Sequence, residues 1–327
     1  MGRSKIIVVG AGVAGLCCAL ELVQRGFAVE VVERGKTVGD GACSWQAGGM
    51  LAPWCEAATT DRIVAERGVA SIDWWARHFA GTVRRGSLVV APPRDGAELT
   101  RFAERTSHFE WADEGRVAAL EPDLAGRFRR ALFFAGEGHL EPRRALPALA
   151  GRLTVRLGVE FDVGAARGTV IDCRGLAARD SLPDLRGVRG EMVVVRSRDV
   201  AISRPVRLLH PRIPLYIVPR GEGIYMVGAT MIESEARGGA SVRSTMELLN
   251  AAYTLHPAFA EAEILELGTG LRPAFPDNLP AVRRMGNVLS VNGLFRHGFL
   301  LAPSLAREVA DILENESHAD IRERRTA

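Results

Sequence analysis

The sequence of 327 residues predicts an α/β protein in which a doubly wound, mostly parallel sheet is interrupted by an antiparallel one. Three observations predict it. The stretch "SKIIVVGAGVAGLCCALELVQRGFAVEVVER" (4–34) reads as strand, glycine turn, helix and strand, and it ends on an acid followed by an arginine. Short apolar runs between about 186 and 230, "EMVVVRS", "PLYIVPR" and "IYMVGAT", read as strands of an antiparallel sheet. After residue 287 the strand-then-helix pattern of a doubly wound sheet returns.

The elements follow in order. Lys5 to Gly10 is a short apolar run suited to a strand buried on both faces. Leu16, Ala19, Leu20 and Val23 recur at helical spacing, and Gly26 stops that helix. Ala28 to Val32 is the second strand. The glycine-rich run "GDGACSWQAGGMLAP" (39–53) is too loose for regular structure over its first half. Asp61 to Phe79 reads as a helix and "SLVVAP" (87–92) as a strand. "HLEPRRALPALAGRL" (139–153) suits a helix entered through Pro142, and "GTVIDCRGLAAR" (168–179) a strand ending at a turn. Ser241 to Thr254 is helical, "NVLSVNG" (287–293) is a buried strand, and an amphipathic helix runs from about Pro303 to Leu313. The polar end "ESHADIRERRTA" is expected to fray. This order predicts a discontinuous nucleotide domain, 1–82, 137–185 and 269–327, with a second domain made from 83–136 and 186–268.

Composition narrows the function. Hydrophobic content of 47% with 25% charged residues is that of a soluble globular protein, so a fibrous or disordered chain is excluded. Lys5 and Lys36 are the only lysines, and the basic charge is carried by arginines mixed with acids. No basic run is interleaved with aromatics, which sets nucleic acid aside. The five cysteines, Cys17, Cys18, Cys43, Cys55 and Cys173, are odd in number and form no C-x-x-C pair. They suit reduced thiols better than a disulfide framework or a zinc site. A strand beginning near Lys5 leaves no room for a secretory h-region, and no apolar run approaches the roughly 20 residues of a membrane span. A cytoplasmic protein that does not enter a membrane and holds no metal is expected.

Gly10, Gly12 and Gly15 make the run G-A-G-V-A-G. Gly10 permits the tight turn, Gly12 lets a pyrophosphate approach the backbone, and Gly15 lets the helix pack on the strand. The helix start at Val13 and Ala14 presents unpaired N–H groups and a positive dipole end to phosphates. Glu33 closes the second strand, where an acid accepts hydrogen bonds from ribose hydroxyls. The same acid argues against a 2′-phosphate, hence against NADP. This Rossmann-like fingerprint leaves NAD and FAD both open.

Three further stretches carry a resemblance: "SWQAGGMLAP" (44–53), "GLRPAFPDNLPAV" (270–282) and "NGLFRHGFLLAPS" (292–304). In this order, and over nearly the whole chain, the sequence resembles the glycine oxidases of thiamine biosynthesis, within the D-amino acid oxidase family of flavoenzymes. The resemblance implies a Rossmann-like FAD-binding domain with an inserted antiparallel-sheet substrate domain. It implies FAD held without a covalent link, and oxidation of glycine, with sarcosine and small D-amino acids, by O2. The products would be hydrogen peroxide and an imine that hydrolyses to glyoxylate and ammonia or passes to a thiazole-forming enzyme. A homo-oligomer, as in tetrameric family members, is also implied.

The resemblance assigns residues as well. Arg272, in an apolar, proline-bounded stretch, would clamp the substrate carboxylate, which suits the planar fork of a guanidinium. Tyr216 would help hold that carboxylate, and Arg296 would lie over the substrate or gate it. Met50 and Met231 would line a small substrate pocket. Val13, Ala14, Glu33 and Arg34 would lie at the adenosine and pyrophosphate end of FAD, and Cys43, Ser44, Gly48, Gly49 and Met50 along the ribityl and isoalloxazine. Val163 is matched to a valine whose backbone meets the adenine. Leu294, Phe295, Arg296, His297, Gly298, Phe299 and Leu300 would wrap the pyrimidine end of the flavin, with a helix start near Pro303 aimed at N1 and O2. The sequence departs from the pattern at His297, where some members have asparagine, and at Pro214, where some have histidine. His297 is expected to be positioned by its backbone and not to act as a base. A D-amino acid or sarcosine oxidase or dehydrogenase of the same family, a flavin-holding module without turnover, and an NAD dehydrogenase are the alternatives.

Overall fold

The structure, a computed structural model, describes residues 5–209 and 215–326. It falls into two units, Met1–Trp45 with Arg143–Arg186 and Arg272–Ala327, and Gln46–Pro142 with Gly187–Leu271.

In the first unit six strands lie in the order Ala281–Met285, Val288–Asn292, Val170–Asp172, Ile6–Val9, Val29–Glu33 and Val155–Leu157. Neighbours are parallel except the outer hairpin, 281–285 against 288–292. Ile6–Val9 pairs with Val29–Glu33 on one side and with Val170–Asp172 on the other. The winding reverses there, so the loops that leave these strands part and open a crevice at their carboxyl ends. The helix Val13–Gln24 buries Leu16 and Leu20 and packs on the helix Gly298–Thr326, which buries Leu305 and Val309. Arg25, at the end of the first helix, ties the pair by donating to Asp311 at 2.6 Å and Glu314 at 2.8 Å.

The last helix differs from expectation. It begins at Gly298, five residues before Pro303, and the backbone of His297 opens it by accepting from the Leu301 N–H at 2.8 Å. Pro303 is the sixth helical residue, where its missing N–H removes a single bond, to the carbonyl of Phe299. The same helix continues to Thr326, through the polar end expected to fray.

In the second unit eight strands lie in the order Glu263–Ala274, Arg186–Arg196, Ile224–Gly228, Leu215–Gly221, Val206–Leu208, Ser87–Val90, Arg130–Phe134 and Glu110–Asp113. The strands from 186 to 228 pair antiparallel as expected, and Val206–Leu208 runs parallel to Ser87–Val90. Alternation sorts their side chains. Val206, Leu208, Leu215, Ile217, Val193 and Val227 point to one face and form a core with Leu248 and Leu255 of the helix Val242–Leu255. That helix is capped by Ser241, whose hydroxyl accepts from the Ser244 N–H. Arg207, Tyr216, Val218 and Met226 occupy the strand positions between, and so point to the opposite face.

The units also differ from the expected division. Residues 46–82 and 137–142 group with the second unit. Ala52, Cys55 and Ala58 share a core with Val89, Leu132 and Phe134, and Val83 bridges to His139, which pairs with Met50. Gly48, Gly49 and Met50 therefore belong to the second unit. Among the described residues no helix is long and apolar enough to cross a membrane, and no group of three or more metal-ligating side chains gathers.

Candidate active site

The glycine turn is built as its spacing requires. Gly10 has φ +105°, and a Cβ there would lie 2.6 Å from the carbonyl oxygen of Cys173. A Cβ on Gly15 would lie 1.8 Å from the carbonyl oxygen of Gly10, so helix and strand meet only with glycine at that position. Gly12 is different. A Cβ there would come no closer than 3.6 Å to Ser44 Oγ and 3.8 Å to Ala42 Cβ, so glycine at 12 leaves room for something other than protein. The helix behind it has no side-chain cap at Gly12 and no acid in its first turn; Val13 N–H reaches Ser44 Oγ only at 3.4 Å. Unspent N–H groups and the positive end of a dipole thus face the crevice.

Glu33 stands at the edge of that turn. Its Oε2 accepts from the Ala11 N–H at 2.7 Å and its Oε1 from the Gly35 N–H at 2.8 Å. Two oxygens with about four acceptor sites keep capacity for a ribose diol. The chain that passes beside it is not at Val163. Val159 N–H donates to Glu33 O at 3.0 Å and Gly158 N–H to Gly35 O at 2.8 Å, while the Val163 side chain packs in a small core with Val9, Val170 and Val288. The valine nearest the Glu33 strand end by this geometry is Val159. Arg34 is exposed, and Cys43 and buried Ser44 form a 3₁₀ turn against the helix start.

The other two motifs meet in the same unit. Phe295 N–H donates to Pro273 O at 2.9 Å, which joins "GLRPAF" to "NGLFRHG". Phe295 takes φ +48° and Gly293 φ +76° to make that turn. Arg272 is half-buried, and burial pulls its guanidinium pKa down to about 10; Cys43 opposes this, and the second cation, Arg296, adds to it. Burial raises the Cys43 thiol, against the pull of Arg272. Arg296 Nε donates to Nε2 of buried His297 at 3.3 Å. Gly298 opens the last helix with its Cβ position 3.3 Å from Val13 Cγ1, so two helix starts without acids in their first turns lie side by side. Leu294, Phe299 and Leu300 are buried around them.

These features fit FAD. An anion has an uncapped helix start with room at Gly12, a diol has Glu33, and Arg272 and Arg296 belong to the same unit.

In the second unit a polar cluster surrounds Tyr216. Arg207 stands directly opposite it on the neighbouring strand. Arg207 is buried, lies 4.9 Å from the Phe102 ring centroid and 5.0 Å from that of Tyr216, and donates from Nη1 to Tyr216 Oη at 2.7 Å and to Cys55 O at 3.0 Å. Burial works against its charge, but Tyr216, Cys55 and Glu56 outweigh that and hold its pKa above the ordinary value. Tyr216 Oη donates to Glu56 Oε1 at 2.6 Å. The Cys55 N–H donates to Glu137 Oε1 at 2.7 Å, and Ser87 Oγ bonds Glu137 Oε2.

Met50 is half-buried and packs beside Tyr216, Met192, Val218 and Met226. Met231 is 52% exposed and belongs to no core cluster with Met50, so the two methionines are not brought into one packed wall. Pro214 lies outside the described residues. Sequence reasoning had no signal for Arg207 or Glu56: an arginine alternating with Val206 and Leu208 reads as a solvated strand face.

Residues 5–312 match the family described as DAO, FAD dependent oxidoreductase. A Rhizobium etli protein named as a thiamine biosynthesis oxidoreductase, ThiO, is 57% identical over 318 residues, covering 95% of this chain and 97% of that protein. The glycine oxidase of Bacillus subtilis is 30% identical, over 95% of this chain and 93% of its own. The crystal structure of a glycine oxidase from Bacillus cereus superposes with a TM-score of 0.81 over 96% of both chains at 22% identity, and so shares the fold. The chain belongs to the DAO family of FAD-dependent oxidoreductases and is an enzyme that uses FAD.

Proposed function

We propose that this enzyme oxidises glycine, with sarcosine and small D-amino acids as further substrates, and that O2 is the final acceptor. In balance, glycine, O2 and water give glyoxylate, ammonia and hydrogen peroxide. The observation that carries the reading is the place of Arg272, a half-buried guanidinium on the strand end that the Phe295–Pro273 hydrogen bond joins to the run Leu294–Leu300. Its planar fork suits a substrate carboxylate. The ThiO and glycine oxidase names of the relatives support the same substrate.

Gly10, Gly12, Val13, Ala14, Gly15, Glu33, Cys43, Ser44, Gly48, Gly49, Met50 and the run Leu294–Leu300 would hold FAD. FAD, when bound, supplies the acceptor for the two electrons that leave the substrate α-carbon as hydride. The protein's part is to bind the carboxylate, fix the α-carbon and keep water from the reacting bond. Met50 and Tyr216, which pack together, would bound the substrate's side-chain space. The first product, an imine, either hydrolyses in water or passes to a thiazole-forming enzyme; the likeness to a protein named for thiamine biosynthesis favours the second fate in the cell.

The test is direct. Glycine added without oxygen bleaches the flavin bands of the yellow holoenzyme, and oxygen restores them with one peroxide per glyoxylate. A flavin that stays oxidised in glycine but bleaches with a larger D-amino acid would move the reading to a D-amino acid oxidase.

A further inference from the structure

We propose that the outer side of the helix Val242–Leu255, with two leucines of a nearby edge strand, docks a second copy of this chain across a two-fold axis. The surface lies wholly within the second unit and does not depend on which substrate the enzyme takes.

The helix has two apolar sides. Ser244, Leu248, Ala251, Ala252 and Leu255 are buried against the sheet. Val242, Met246 and Tyr253 are not. At 77%, 58% and 53% they are the most exposed large apolar side chains among the described residues. Half-buried Leu249 completes their row. Positions 242, 246, 249 and 253 step by four, three and four, the spacing of a seam that a second helix fills. A helix that met only its own core would carry polar residues there.

The row is turned toward the edge strand Glu263–Ala274, which pairs with Arg186–Arg196. The helix packs over Ile224–Gly228 and Leu215–Gly221. At its start the Ser241 N–H donates to Glu191 Oε2 at 2.9 Å; past its end the Phe259 ring meets that of Tyr225, which stands opposite Val195. The helix therefore runs in the direction of Arg186–Arg196. A right-handed helix so directed, with Leu248 toward the sheet, leans Val242, Leu249 and Tyr253 toward the edge strand. Its polar flank of Arg243, Glu247 and Thr254 faces the other way, where Arg127 donates to the carbonyl of Leu255 at 2.8 Å. On the edge strand, a Cβ at Gly268 would meet Met192 Cε on the far face of the sheet, whereas Thr269 Oγ1 donates to Gly238 O at 3.0 Å, close to the helix start. Alternation then puts exposed Leu265 and Leu267 on the helix side.

The row itself names its occupant, because it complements its own reverse. A two-fold axis between Met246 and Leu249 sets Val242 of one copy against Tyr253 of the other, and Met246 against Leu249, with no charged residue in the seam. The helices then run antiparallel, each positive end beside a negative one. The helix of the second copy also lies over Leu265 and Leu267. The exposed parts of Val242, Met246, Leu249, Tyr253, Leu265 and Leu267 come to roughly 600 Å2 per copy, close to the about 800 Å2 that each partner of a standard interface buries, and the polar rim adds to it.

Sedimentation velocity of the holoenzyme over a dilution series reads the association. Met246→Glu puts a carboxylate into the seam and weakens the association at least about tenfold, with flavin content and circular dichroism unchanged because position 246 is exposed. Val69→Glu, at an exposed apolar position on the helix Arg62–His78, associates as wild type does. The register has its own test. Val242→Cys mixed with Tyr253→Cys under a mild thiol oxidant gives disulfides between unlike chains in preference to like ones. A wild type that stays monomeric at every concentration, an association that Met246→Glu leaves intact, or disulfides between like chains alone would each overturn the proposal.

Discussion

Glu137 and His139 show how far single residues bend their chemistry in the second unit. Burial pushes the fully enclosed Glu137 carboxyl up to about 8, against the hydrogen bonds from Ser87 and the Cys55 backbone. Between pH 4.5 and 8 the folded chain keeps this proton while the unfolded chain sheds it, so Glu137 makes stability fall as pH rises through that window. His139 works the other way. Burial first, then Arg220 and Arg85, lower it to about 4, so stability is lost as pH falls from 6.5 toward 4. Glu137→Gln removes only the first effect. Its melting temperature relative to wild type is expected to climb from pH 5 to pH 8, at up to about 1.4 kcal/mol of stability per pH unit. A difference that stays flat with pH would mean Glu137 is ionised in the fold. Burial likewise raises the Cys55 thiol to about 12, so it is expected to resist alkylation until the protein unfolds.

At the level of elements, the strand–turn–helix start makes a sharp prediction because its glycines do different things. Gly12→Ala meets no protein atom closer than 3.6 Å, so the apoprotein should fold with its melting temperature nearly unchanged while FAD binding weakens at least about tenfold. Gly15→Ala must displace the Gly10 carbonyl and should destabilise the apoprotein itself. Flavin content and apoprotein melting of the two variants check this; full flavin in Gly12→Ala would place the phosphates elsewhere. These glycines and Glu33 were legible in the sequence because their roles depend on spacing along a few neighbouring elements. The start of the last helix was not, since "LFRHG" carries no capping signal and Pro303 looks like a first helical residue. Residues 93–134 hold helices and strands of three to eight residues, too short to show a period. Arg207 and Glu56 were hidden for another reason: burial of a strand arginine depends on what covers its face, which no local pattern records.

For the molecule as a whole, the first unit holds the glycine turn, Glu33, Arg272 and Arg296, and the second holds the polar cluster around Tyr216. The division itself was only partly readable, because the allegiance of 46–82 turns on the packing of Ala52, Cys55 and Ala58 against Val89, Leu132 and Phe134, which no local pattern records. A side-chain space bounded by Met50 and Tyr216 should favour glycine and sarcosine over D-phenylalanine, in a graded way, since one methylene is worth about 1–3 kcal/mol. Faster turnover of D-phenylalanine than of glycine would contradict this. If Arg272 holds the carboxylate of a small amino acid, kcat/KM for glycine and for ethylamine, which has no carboxylate, separates wild type from Arg272→Ala at equal flavin content. Glycine should lose about two to four decades, as for a broken buried ion pair, with ethylamine affected far less. Equal losses on the two substrates would show that Arg272 serves the fold or the flavin and not the carboxylate.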